Sequence, residues 1–231
     1  ELGKPKIEAV CLTAYDPEFE LPIAFGTQNE KKVLANIFAE NEIVNCRIAE
    51  TDNAANIDFF NGGDTIEYQH ETRLIIQSLK NVSIEAQPEL SSFKITDAFI
   101  ESLESIDADV FIINIGAPDM VAQSGNLEKT IESIQFVDTC IGGIIEKIGD
   151  LGGVTIVTAD HGNCEEMIDL LTGETHHANT ANHVPFVLVD EEADGLKLRE
   201  NGSLEDVAPT ILAILGIEKP EEMSGRDLRD L

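Results

Sequence analysis

A chain of 231 residues with 42% hydrophobic side chains can bury a full core, as one large domain or one and a fraction. Its 44 acidic against 15 basic residues give a formal charge of −29, which repels nucleic acid and anionic membrane and argues against both as partners. There is no apolar run of membrane-spanning length and no apolar leader at Glu1-Leu-Gly-Lys-Pro-Lys6. The four cysteines (Cys11, Cys46, Cys140, Cys164) are scattered without a Cys-x-x-Cys, so a soluble protein of a reducing cytoplasm is expected. Glu1 is not a natural start, and a segment upstream of it is expected.

In chain order, residues 5–14 hold a short strand-like run, and 16–26 read as an irregular connection at a domain junction. Val33, Leu34, Ile37 and Phe38 have the spacing of one helical face. Residues 44–49 read as a strand with Cys46 and Ile48 on one side and Asn45 and Arg47 on the other. A loop is expected at 50–56, and 74–76 and 82–84 are short strand candidates. Thr96 is a candidate N-cap for a helix burying Phe99, Ile100, Leu103 and Ile106. Residues 109–114 read as a fully buried strand. Asn126 caps a long amphipathic helix bearing Ile131, Ile134, Ile141, Ile145 and Ile148.

Gly152 and Gly153 then release the run Val154-Thr-Ile-Val-Thr158, read as a buried strand that stops at Asp160-His161-Gly162-Asn163. An Asp and a neutral His are good donors to a divalent cation, and Gly162 permits a sharp turn that lets both face one point. Residues 184–189 form a further buried strand. The last helix starts near Asp206, carries Pro209 in its first turn and stops at Gly216. Strands alternating with helices predict an α/β fold with a mostly parallel sheet covered by helices on both faces. The loops bearing Asp119, Asp160-His161 and 50–56 then fall at carboxyl ends of strands, where such sheets bind ligands.

Several blocks, Asn114-Ile-Gly-Ala-Pro-Asp-Met-Val-Ala-Gln-Ser-Gly-Asn126, Thr158-Ala-Asp-His-Gly-Asn-Cys-Glu-Glu-Met167, Val184-Pro-Phe186, Val207-Ala-Pro-Thr-Ile-Leu212 and the run 215–225, together resemble cofactor-independent phosphoglycerate mutase, of the alkaline phosphatase superfamily. The resemblance covers nearly the whole chain and corresponds to roughly the C-terminal half of the family. It implies that residues 1–26 match the exit from an inserted phosphotransferase domain, or a linker, and that 27–231 match the second segment of an alkaline-phosphatase-like domain. It also implies two divalent metal ions, usually manganese, a phosphoryl-carrying serine, and a phosphorylated small molecule such as phosphoglycerate as substrate.

Mapped residue by residue, Asp119, Asp160 and His161 stand at retained family metal-ligand positions. Two family histidines are replaced, one by Gln123 and the other by Asn179, and the earlier histidine of the second motif aligns with His176, a candidate substitute ligand. The family lysine that would stabilise the transferring phosphoryl group is Asn53. The serine, one metal-binding Asp and the substrate arginines belong to segments outside these 231 residues. Amides are a poor exchange for imidazole at a manganese- or zinc-like centre. Gln123 and Asn179 are expected to bond to each other or to Asp160, turning a charged site into a neutral polar network. Without an upstream base or cation, Cys164 reads as small packing.

Three readings follow. The chain is a catalytically degenerate domain retained for binding or assembly, which binds metal weakly or not at all. Alternatively it is a fragment of an active metal-dependent mutase, completed by a missing N-terminal segment. The third is a one-metal hydrolase using Asp119, Asp160, His161 and a relocated histidine.

Overall fold

The computed structural model describes residues 9–13, 21–26, 32–58, 68–80, 83–84, 86–169, 171–191, 193 and 195–230. It divides the chain into two compact units, Glu1–Lys31 and Lys32–Leu231. In the first, Cys11 and Ile23 form a single parallel bridge. Of the strand expected at 5–14, residues 9–13 are described and hold only that bridge, and the others lie outside the described residues.

The second unit begins with α1 (Leu34–Glu40), β1 (Asn45–Glu50), α2 (Ala54–Asp58), β2 (Glu71–Ile76), α3 (Ser92–Ser105) and β3 (Val110–Ile113). It continues with α4 (Ala117–Ala122), α5 (Leu127–Asp150), β4 (Thr155–Thr158), β5 (Phe186–Val189), β6 (Lys197–Leu198), α6 (Val207–Ile214) and β7 (Arg229–Asp230). Strand β1 is the inner strand of a parallel sheet of order β2-β1-β3. β4 and β5 form a separate antiparallel pair, as do β6 and β7.

Alternation along the strands places apolar side chains on both faces of the sheet. Cys46 and Ile48 of β1 pack with Ile95 and Phe99 of α3 and Ile144 of α5, and Phe111 and Ile113 of β3 join them. Val110 and Ile112 of β3 point instead to a cluster of Leu34, Ile37 and Phe38 from α1 with Leu212 from α6. Helices therefore cover both faces, as the alternating pattern predicts. No helix among the described residues is long and apolar enough to cross a membrane.

The inner strand also buries charge. Arg47 is fully buried; its Nε donates to Asn45 Oδ1 at 3.1 Å, its Nη1 donates to the Ile57 carbonyl at 3.0 Å, and its Nη2 pairs with Glu71 Oε2 at 3.2 Å. Arg73, its register partner on β2, reaches the other oxygen of the same carboxylate at 2.5 Å. Breaking such a buried pair by removing one partner typically costs about 3–5 kcal/mol, because the other charge stays buried. Two of the five arginines thus converge on an internal glutamate.

Several local expectations are corrected. Helix α3 starts four residues before Thr96, with Ser91 as N-cap, and the Thr96 hydroxyl bonds back to the Ser92 carbonyl at 2.9 Å. In α5 the buried residues are Thr130, Ser133, Cys140 and Ile144, whereas Ile131 and Ile134 are exposed. The segment after β1 is a 3-10 turn (Thr51–Asn53) leading into α2 rather than a loop. Residues 83–84 are not strand, and Val82 lies outside the described residues. Strands β3, β4 and β5 are not fully buried: β3 is half-buried throughout, Thr158 is exposed in β4, and Val187 is exposed in β5.

The last helix depends on its entry. Asp206 is 4% exposed and accepts hydrogen bonds from the backbone N–H groups of Ser203 and Arg226, both at 2.8 Å, within a capping box. Burial pushes its carboxyl up, but those two amides and the Arg226 charge outweigh this and hold it below the usual value. A depressed folded pKa contributes stability that is present above the unfolded value and is lost as pH falls toward the folded one. Asp206→Ala should therefore lower stability by about 2 kcal/mol at neutral pH. It should also flatten the acid limb of the stability profile below about pH 4. Denaturant unfolding of both proteins across that range measures it; parallel acid limbs would remove Asp206 from the account.

Candidate functional site

The carboxyl ends of β3 and β4 lead into one polar cluster. After β3, Gly116 opens α4, which carries Asp119 in its first turn, and Gln123 follows as its C-cap. Gln123 is one helical turn beyond Asp119, so the two side chains share a face. Gln123 Nε2 donates to Asp119 Oδ2 at 2.8 Å. After β4, Asn163 is 5% exposed and its Nδ2 donates to Asp119 Oδ1 at 3.1 Å, completing a carboxylate held between two amides. The same Nδ2 lies 3.4 Å from Asn179 Oδ1, which extends the cluster to a third segment. The Asn163 Oδ1 is buried with no hydrogen-bond partner among the described residues.

The contacts centre on the Asp119 carboxylate rather than on the expected neutral network of Gln123 and Asn179. The hubs are Asp119 and Asn163, whereas Gln123 and Asn179 bond neither to each other nor to Asp160 among the described contacts. Asn163 was legible in sequence only as part of the turn; its burial identifies it as a hub.

Among the described contacts, neither Asp160 nor His161 bonds to that carboxylate. The Asp160 side chain is 66% exposed, with its Oδ1 3.8 Å from His161 Nε2. His161 Nδ1 lies 3.2 Å from the Gly162 carbonyl. Gly162 serves a different purpose from the one expected. Its φ is not in the left-handed region, but a Cβ there would lie 2.3 Å from Thr180 Oγ1 and 2.4 Å from Glu165 Oε1. Glycine is required by close approach, since Thr180 N donates to the Gly162 carbonyl at 2.7 Å.

Glu165 fastens this turn. Its carboxylate accepts from the Thr180 hydroxyl, from Asn182 Nδ2 at 3.0 Å and from Asn163 N at 2.6 Å. Burial alone would push its carboxyl up, but these bonds and its own backbone amide bring it down to about 2. His176 is engaged nearby: its Nδ1 lies 2.8 Å from the Glu166 carbonyl and its backbone N–H donates to the Met167 carbonyl. Cys164 Sγ contacts the Pro118 carbonyl at 3.5 Å. Burial first, then the charges of Asp119 and Glu165, push its thiol up to about 11, which suits packing rather than a thiolate nucleophile.

Asn53 meets α4 at Met120 and Gly116. Its Nδ2 lies 3.4 Å from Glu50 Oε1 and 3.5 Å from Met120 Sδ, and its amide lies where a Cβ on Gly116 would be. Glu50, 2% exposed, also accepts from the Ser78 hydroxyl at 3.0 Å. This buried carboxylate was not singled out in the sequence, where it reads only as the end of a strand. Among the described residues no group of three or more His, Cys, Asp and Glu side chains is arranged to hold a metal ion.

The model of the metalloenzyme superfamily matches residues 19–219. The 2,3-bisphosphoglycerate-independent phosphoglycerate mutase 2 of Methanosarcina barkeri is 42% identical over 226 residues, covering 97% of this chain and 43% of that protein. The corresponding mutase of Clostridioides difficile is 43% identical over 221 residues, covering 95% of this chain and 43% of that protein. A crystal structure of Leishmania mexicana phosphoglycerate mutase, obtained at low cobalt concentration, superposes with a TM-score of 0.76 at 27% identity, covering 84% of this chain and 38% of that one. The chain thus spans less than half the length of the curated relatives it matches. With its alkaline-phosphatase-like α/β fold and a family match running through both candidate loops, the chain belongs to the metalloenzyme superfamily and is similar there to the cofactor-independent phosphoglycerate mutases.

Proposed function

We propose that this chain is a phosphoglycerate-mutase-like domain whose metal site has become an amide network around one carboxylate, and that it serves binding or assembly rather than catalysis on its own. In this reading residues 1–26 are the exit from the relatives' inserted domain or a linker, and 27–231 are the phosphatase-like domain. The observation that carries the reading is the Asp119 carboxylate, whose two oxygens accept from Gln123 and Asn163 amides.

The superfamily's name implies a metal, and the donor set does not fit a transition-metal centre. A cation at Asp119 would face two amide N–H groups rather than imidazole nitrogens. Asp160 and His161 supply two further donors on an exposed edge, and His176 directs Nδ1 at a backbone carbonyl. A closed protein site for such a metal ordinarily needs four good ligands, and a catalytic one three. The phosphoryl chemistry of the mutase relatives also calls for cations around the transferring group, and Asn53 is neutral while Arg47 and Arg73 meet Glu71 in the interior.

Calorimetric titration of the purified chain with manganese or zinc should give no 1:1 isotherm of sub-micromolar affinity. The triple substitution Gln123→His, Asn179→His and Asn53→Lys should recover metal binding before any activity. A tight isotherm in the unmodified chain that disappears in His161→Ala would favour the one-metal hydrolase instead.

Assayed with manganese present, the unmodified chain should leave 2- and 3-phosphoglycerate at their starting ratio, because groups that stabilise one transition state fail together when several are lost. A measurable rate that Asp160→Ala abolishes would contradict this reading.

A further inference from the structure

We infer that residues 165–169 and 171–182 form a strap that closes against the Asp119 cluster and opens as one body, and that the Glu165 carboxylate is its latch. The inference goes beyond the proposed function, because it holds whether or not the cluster binds metal.

The strap is held together from within. Asp169 N donates to the Glu174 carbonyl at 2.9 Å, Gly173 N to the Asp169 carbonyl at 2.8 Å and His176 N to the Met167 carbonyl at 2.9 Å, and Ile168 and Thr175 form an antiparallel bridge. The Asp169 carboxylate shapes the bend between the two limbs, where its Oδ1 accepts from Leu171 N at 2.7 Å and from Thr172 N at 3.0 Å. Each of these bonds joins one part of the strap to another, so none has to break when the strap moves as a whole.

Its attachment to the rest of the molecule is sparse. Leu171, at the bend, is 97% exposed, and of the described strap residues Met167 alone is buried. The side-chain contact with the Asp119 cluster is one amide pair, Asn163 Nδ2 to Asn179 Oδ1 at 3.4 Å, longer than an ordinary hydrogen bond. Thr175 and His177 lie against Gly125, between α4 and α5, where a Cβ would overlap both side chains, but no hydrogen bond joins them to it among the described contacts.

The latch differs in kind. Glu165 stands where the strap leaves the turn after β4, and its carboxylate gathers both limbs. On the outgoing side Oε2 accepts from Asn163 N at 2.6 Å; on the returning side Oε1 accepts from the Thr180 hydroxyl and from Asn182 Nδ2 at 3.0 Å. Glu166 Oε2 shares the same Asn182 amide at 2.9 Å. Hydrogen bonds to an ionised acceptor are roughly twice as strong as neutral ones, and three of them converge on Glu165. One backbone bond crosses the same joint, from Thr180 N to the Gly162 carbonyl at 2.7 Å. Opening carries Asn179 off Asn163 and leaves Asp119 bonded to Gln123 and Asn163, so it changes what the cluster presents without dismantling it.

The backbone amides separate latch from strap. Thr180 N reports on the joint, Asp169, Gly173 and His176 report on the strap's own integrity, and Asn114, bonded to the Ile48 carbonyl, reports on the sheet. Amide hydrogen exchange followed by NMR on the 231-residue chain in chelator should find Thr180 exchanging at least about tenfold faster in Glu165→Ala than in the parent, with the other four amides within about twofold. Glu165→Gln, which keeps an acceptor oxygen but loses the charge, should fall between the two. Thr180→Val removes the hydroxyl donor, and adding it to Glu165→Ala should bring no further acceleration at position 180, because both act on one bond. Three results would overturn the inference. Thr180 as protected in Glu165→Ala as in the parent would remove the latch, and full additivity with Thr180→Val would do the same. Asp169, Gly173 and His176 accelerating together with Thr180 would show a segment that unfolds rather than a strap that opens as one body. Should Glu165→Ala not fold, Glu165→Gln and Thr180→Val carry the same test, each expected to accelerate position 180 by about threefold or more with the strap's own amides unchanged. Exchange is read in chelator, so a tight manganese isotherm would reject the proposed function and leave the strap standing, while an unmoved Thr180 would reject the strap alone.

Discussion

A carboxylate brought to the end of a strand needs something to meet its charge, and in this protein two side-chain amides meet Asp119. That contact ties together the helix after β3, the turn after β4 and, through Asn179, the segment that returns to bridge Gly162. The cluster around it is assembled by approach distances that tolerate little change, since Thr180 and Glu165 lie where a side chain on Gly162 would be. Hydrogen bonds to a charged group contribute more than neutral ones, and they demand that their donors stay in place. The site is therefore built as a rigid polar joint as much as a binding surface.

The same logic governs where the positive charge goes. With a formal charge of −29, the chain has few cations to spare, and two arginines are directed inward to one glutamate between β1 and β2. The sheet interior is satisfied at the expense of any anion-binding cluster at the carboxyl ends of the strands. A phosphorylated ligand would meet carboxylates and neutral amides there, which is the electrostatic reason for favouring assembly over phosphoryl transfer.

The fold was legible where local chemistry and periodicity agree. The spacing of Leu34, Ile37 and Phe38 gives a helix because those residues form one stripe, and Asn126 caps α5 because its side chain accepts from Lys129 N. Reading failed where tertiary context decides. The run 109–114 is apolar throughout, which suggests complete burial, but burial also depends on a second neighbouring strand that β3 lacks among the described residues. Ile131 and Ile134 look like core yet face outward, while the small Ser133 and Cys140 turn inward against neighbours that periodicity cannot see. At the site, Asp119, Gln123 and Asn179 were recognisable from motif positions, and the structure brings them into one cluster. Asn163 and Glu50 were not singled out, because an amide or carboxylate becomes informative only once it is known to be buried.

The central claim is that Asp119 acts as the acceptor of a structural amide network rather than as a metal ligand, and equilibrium unfolding of Asp119→Ala in chelator and in manganese tests it most directly. If the claim holds, the substitution lowers stability by about 1–3 kcal/mol in both conditions, because it strands the buried Asn163 donor whether or not metal is present. Its effect should also be non-additive with Gln123→Ala, since the two side chains share one hydrogen bond. A variant as stable as the parent in chelator, and less stable only when manganese is supplied, would contradict the claim and restore Asp119 to a working metal site.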